Sequence, residues 1–154
     1  MELLSRKPTR LLGFNYSSQN YYFITICTHD KKCIFGTVKQ LNEWGKVAEQ
    51  DLKELPSHFK DVCIDNYIVM PNHIHAIIVL NRENAVNLNS IIGLYKSGVS
   101  RKIHKMYPET VVWQRSFHDR IIRNQKEYEY IWQYIQYNDQ KWKQDCFYQK
   151  IEET

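Results

Sequence analysis

A chain of 154 residues is about one domain's worth and long enough to bury a real core. It holds no apolar run near the ~18 residues of a membrane span, and its opening, MELLSRKPTRLLGFNY, is too broken by charges and a proline for a secretory signal, so a cytoplasmic protein is expected. The net charge of +4 is unevenly spread: residues 84–126 hold eight Lys/Arg against Glu109 and Asp119, a local +6, and the rest of the chain sums to −2. Such a segment suits a phosphate-rich partner, although solvated helix faces carry the same charges.

No repeat, low-complexity tract or linker interrupts the chain, which reads as one domain over 1–154. YYFITICT (Tyr21 to Thr28) is rich in β-branched and aromatic residues and predicts a strand. LNEWGKVAEQDLKEL predicts a helix: Trp44, Val47, Ala48, Leu52 and Leu55 recur at helical spacing, and Pro56 follows its end. Two strands come next, VCIDNYIVM and HIHAIIVL, joined at Pro71 and Asn72, residues suited to a tight reversal.

A second helix begins near Asn87, with Leu88, Ile91, Ile92, Tyr95, Val99, Ile103 and Met106 on one apolar stripe. TVVWQRSFHDRII predicts a fourth strand, and Asn124, with Glu127 three residues on, caps a last helix. The order β-α-β-β-α-β plus a helix predicts an α+β fold. It is the split-βαβ, ferredoxin-like plan: an antiparallel sheet with helices on one face. Cys27, Cys33, Cys63 and Cys146 form no CxxC pair and are expected as free thiols.

His73 and His75 flank Ile74, so in an extended strand they share a face about 7 Å apart. That spacing suits two ligands of one metal ion, or two polar residues at a strand entrance. In the last helix Tyr128, Ile131, Trp132 and Ile135 form a buried seam. Tyr134 lies roughly 120° from that seam and Asn138 about 80° from it on the same side, so the two are neighbours one turn apart.

The string VMPNHIH, followed by WQRSFHDRIIRN and YIQYN and preceded by YYFITICTHDKKCIFG, resembles the single-tyrosine HUH (histidine-hydrophobic-histidine) transposases of small insertion sequences. The resemblance is nearest to the branch associated with repetitive extragenic palindromes, and it runs from about Arg10 to Trp142. It implies that His73, His75 and Asn138 bind a divalent metal, Mg²⁺ or Mn²⁺, and that Tyr134 is the nucleophile. The activity implied is cleavage and rejoining of single-stranded DNA next to hairpins through a 5′-phosphotyrosine. Lys96, Arg101, Lys102, Lys105, Arg115, Arg120 and Arg123 would then bind DNA. The family has both dimeric and monomeric members, which leaves room for a homodimer. One departure stands out: Asp139 replaces the proline that usually follows the asparagine. The last helix is therefore expected to run past Asn138, bringing a carboxylate close to the metal. Two other readings compete. Tyr130 and Tyr134, at i and i+4, allow a two-tyrosine replication- or conjugation-type nickase. A non-catalytic nucleic-acid-binding module of the same fold is the second, and it has no need of paired histidines.

Overall fold

In a computed structural model, which describes residues 14–83, 86–145 and 147–148, four strands form one antiparallel sheet. β1 is Tyr21–Cys27, α1 Glu43–His58, β2 Val62–Met70, β3 His73–Leu80, α2 Leu88–His104, β4 His118–Ile122 and α3 Gln125–Gln136. The strand order is β2-β3-β1-β4, with β1 antiparallel to both β3 and β4. This is the ferredoxin-like arrangement.

All eight residues of β3 are buried, because both sheet faces are covered. Ile74, Ala76, Ile78 and Leu80 point one way, into the main core with Ala48, Leu52 and Leu55 of α1 and Leu88, Ile91, Tyr95 and Val99 of α2. His73, His75, Ile77 and Val79 have the other parity. Ile77 and Val79 meet Ile131 and Ile135 of α3, together with Ile122. The first two helices therefore sit on one face and α3 lies on the other, beside the histidines.

A β-bulge fixes α3 in place. The β2–β3 register shifts between Ile64 and Asn66, adding Asp65 as an extra residue. The Asp65 carboxylate then accepts the Tyr128 hydroxyl, and Asn66 Nδ2 donates to Trp132 O at 3.2 Å. The bond to Asp65 pushes the Tyr128 phenol up to about 12.

Several boundaries differ from the sequence expectations. α1 continues through Pro56 to His58. Proline stops a helix by removing a donor, but here only the last turn follows it. The fourth strand is reduced to His118–Ile122, since Ser116 takes a φ of 70°, which ends the extended run. Met106 falls beyond α2 and is exposed, and so is Trp132 of the predicted α3 seam. α3 does not run past Asn138: it stops at Gln136, and the chain tightens into a 3₁₀ turn over Asn138–Gln144. Asn124 caps α3 as expected, accepting from Glu127 N at 2.8 Å, but the Glu127 carboxylate that was to complete the capping box bonds to Arg120 instead. Cys27, Cys33 and Cys63 are free thiols, and Cys146 lies outside the described residues. No helix among the described residues is long and apolar enough to cross a membrane.

Candidate metal and tyrosine site

The reversal at Pro71 and Asn72 presents His73 on the sheet face under α3. The turn is pinned by its own carbonyls: Thr28 N donates to Asn72 O and Phe35 N to Pro71 O, each at 3.0 Å. The Asn72 side chain then fixes the histidine. Its Nδ2 donates to Lys31 O at 3.0 Å and to Phe147 O at 2.6 Å, so its Oδ1 is the atom facing His73 Nδ1 at 2.8 Å. A carbonyl oxygen can only accept, so Nδ1 of His73 carries the proton and Nε2 is left with a lone pair. His75 Nδ1 is bonded to Thr25 Oγ1 at 2.9 Å. Bonds to the far nitrogen are how ligating histidines are generally oriented.

Both rings are buried, and their centroids are 4.6 Å apart. Burial lowers the His73 imidazole to about 4, against the opposing pull of Asp145 and Asn138. Burial, and then its histidine neighbour, holds His75 well below its ordinary value. Both are neutral at pH 7, the form that binds metals.

Asn138 is buried beside this pair, as the first residue of the 3₁₀ turn. A residue the sequence reading missed joins it. Asp145 places Oδ2 3.6 Å from His73 Nε2, and the ligand atoms of His73, His75 and Asp145 all lie within 4.8 Å of one another. His73 Nε2, His75 Nε2, Asn138 Oδ1 and Asp145 Oδ2 are all buried without a hydrogen-bond partner. Leaving such atoms unpaired costs about 1–3 kcal/mol each. Two neutral imidazoles, an amide oxygen and a carboxylate fit a divalent cation. Of the two carboxylates, Asp145 is the one grouped with both histidines; Asp139, whose Oδ1 is likewise buried without a hydrogen-bond partner, lines another cleft with Thr37 and Lys39. Nothing in the sequence marked Asp145, seven residues past Asn138 and on no periodic element.

Tyr134 is at the edge of the packed face, 36 % exposed, with its ring 5.3 Å from His75 and 6.2 Å from Phe23. A cleft of about 440 Å³ opens there, lined by Phe23, His75, Arg120, Tyr130, Tyr134 and Phe147 among others. Tyr130 is 73 % exposed and Tyr137 50 % exposed.

The basic residues divide between the two layers. Arg101, Lys102 and Lys105 line a different cleft between α1 and α2, on the side of the sheet away from the histidines. Lys102 is paired there with Asp51. Lys96 Nζ donates to Gln114 O and Ser116 O, each at 2.8 Å, and so ties down the loop before β4. Arg115 and Arg123 are exposed just before and just after β4, and Arg120 lies on it.

The model of IS200-like transposases matches residues 15–138. An uncharacterised Haemophilus influenzae protein is 34 % identical over 93 % of this chain and 93 % of its own length. Another protein of that organism, provisionally named a REP-associated tyrosine transposase, is 28 % identical over 82 % of this chain and 74 % of its own. In fold, the chain matches a REP-associated tyrosine transposase solved with a REP hairpin (TM-score 0.66, 20 % identity, 86 % of this chain and 73 % of that one). It also matches a Deinococcus radiodurans protein provisionally described as a transposase (TM-score 0.55, 14 % identity, 82 % and 96 %). With most of its length matched by the family model and a relative above 30 % identity along nearly all of it, this chain belongs to the family of IS200-like transposases.

Proposed function

We propose that this protein cleaves and rejoins single-stranded DNA next to hairpins, with Tyr134 as the nucleophile and a divalent ion, Mg²⁺ or Mn²⁺, held by His73, His75, Asn138 and Asp145. The observation that carries this reading is the set of buried, unpartnered ligand atoms with the Tyr134 ring packed against one of the two imidazoles. Bound there, the ion would offset the charge of a scissile phosphate and polarise it. The chain's own residues do the rest. Asn72 and Thr25 hold the two imidazoles in orientation through Nδ1. α3 holds the phenol at the open edge of the same cleft.

A free phenol is ionised only about one time in a thousand at pH 7, so attack depends on placement and on charge at the phosphate. The Tyr134 oxygen bonds to phosphorus and the P–O3′ bond breaks. A 5′-phosphotyrosine and a free 3′-OH result. The link is again a phosphodiester, so a 3′-OH can reverse the step and join a new strand without ATP. Arg115, Arg120 and Arg123, on the β4 side, would hold the DNA backbone. The relative solved with a REP hairpin supports a hairpin as the DNA element.

Tyr130 lines the same cleft, so the two-tyrosine nickase gives a distinct expectation. The test is a denaturing gel of a labelled single-stranded hairpin oligonucleotide with Mn²⁺, followed by peptide mapping of the adduct. Tyr134→Phe is expected to abolish the adduct and keep hairpin affinity, while Tyr130→Phe retains it. An adduct that persists in Tyr134→Phe overturns the assignment.

A further inference from the structure

Arg120 occupies the cleft of Tyr134 and His75, and its carboxylate partner engages only one of its donors. In the β1–β4 ladder Arg120 is directly opposite Phe23. Such pairs share a sheet face. Phe23 in turn stacks on His75 at 5.4 Å and meets the Tyr134 ring edge-on. The Arg120 Nε–H donates to Glu127 Oε1 at 2.5 Å. The Glu127 side chain is only 17 % exposed and that of Arg120 68 %, so the carboxylate is the fixed end and the guanidinium stands at the mouth of the cleft. A guanidinium has five N–H donors in a planar fork. Among the described residues, the Nε bond to Glu127 is the hydrogen bond it makes. Glu127 precedes Tyr134 by seven residues on α3, about 20° away around the helix, so one stripe carries both the carboxylate and the phenol.

We propose that Arg120 is a further catalytic residue, whose terminal NH₂ groups grip the non-bridging oxygens of the scissile phosphodiester from the β4 side, with Glu127 as the positioning residue. This rests on Tyr134 being the nucleophile. In that step the phenol proton leaves to solvent, the O–P bond forms, the P–O3′ bond breaks, and the departing 3′ oxygen takes up a proton. Between those events an extra negative charge spreads over the non-bridging oxygens. A fork already aimed by Glu127 meets that charge without reorganising. The competing role is an anchor that merely ties α3 to β4.

Adduct formation in a single turnover at saturating hairpin oligonucleotide and Mn²⁺ separates the two roles, with hairpin affinity and the thermal midpoint measured alongside. Arg120→Ala is expected to slow the adduct by about 10²-fold, the usual loss for one donor to a developing oxyanion. Arg120→Lys is expected to recover part of that loss. The exchanged pair Arg120→Glu with Glu127→Arg should recover the thermal midpoint but not the rate. Full-rate adduct formation by Arg120→Ala at saturating DNA, or by the exchanged pair, overturns the proposal. A wild-type protein that forms no adduct overturns the Tyr134 reading beneath it, whereas a wild-type adduct undiminished in Arg120→Ala overturns the Arg120 role alone.

Discussion

Asp145 Oδ2 and His73 Nε2 stand 3.6 Å apart, both buried and neither hydrogen-bonded. An imidazole lone pair and a carboxylate oxygen repel unless a proton or a cation lies between them. Burial pushes His73 down to about 4, so at pH 7 that proton is absent, and the divalent ion proposed above would relieve the repulsion. We therefore expect Asp145→Ala to weaken Mn²⁺ binding at least about tenfold, while Asp139→Ala leaves it within a factor of about two. Calorimetric titration of Mn²⁺ into the DNA-free protein measures this. Equal losses in the two variants would overturn the preference for Asp145, and a larger loss in Asp139→Ala would assign the role to Asp139.

Asn72 is expected to be a second determinant of the proposed metal site. It fixes the His73 tautomer while its amide binds two carbonyls from distant parts of the chain, Lys31 and Phe147. Asn72→Ala should lower metal affinity about 10–100-fold, the usual cost of losing such an orienting partner. Asn72→Asp should differ in kind: a carboxylate can accept from His73 but cannot donate to the carbonyls. A Mn²⁺ affinity unchanged in Asn72→Ala would contradict the orienting role.

The buried histidines set an acid limit on the metal-free protein. Their folded values lie below the ordinary 6.5, so below that pH the unfolded chain takes up protons that the folded chain does not. Stability is therefore fully present above pH 6.5 and falls as the pH drops toward 4, by at most about 1.4 kcal/mol per group per pH unit. Thermal midpoints in chelator between pH 4.5 and 7.5 should fall on the acid side. The fall should be shallower in His73→Gln/His75→Gln. Parallel curves would mean that other groups control the acid limit.

Lys96 illustrates how a basic residue in a positive segment can be structural. Its ammonium holds two backbone carbonyls of the loop before β4. Lys96→Ala is expected to cost about 1.5–3 kcal/mol in urea denaturation, as for hydrogen bonds to charged groups. The salt dependence of hairpin binding should keep its slope. A log–log slope reduced by roughly 0.7 would assign Lys96 to a phosphate instead.

Much of this architecture was legible in the sequence, because the relevant patterns are local. The apolar, β-branched runs on either side of the Pro71–Asn72 turn gave β2 and β3 their observed limits. Helical periodicity placed α1, α2 and α3, and the Asn124 cap was visible in the spacing to Glu127. The common face of His73 and His75 followed from strand geometry alone, whereas Asn138 beside them was expected only from the family resemblance, and it lies in a 3₁₀ turn after α3 has ended. What only the tertiary structure decided depends on contacts between distant segments. The bulge at Asp65 matters because Tyr128, 63 residues later, bonds to it. Asn72 is an orienting residue because Lys31 and Phe147 hold its amide. Asp145 reaches the histidines because the chain leaves α3 through a 3₁₀ turn instead of continuing as a helix. The basic segment, continuous in sequence, is split between opposite sides of the sheet, because α2 and β4 belong to different layers. Local periodicity fixes which way a side chain leaves its own element, but the partners it meets there are set by long-range packing.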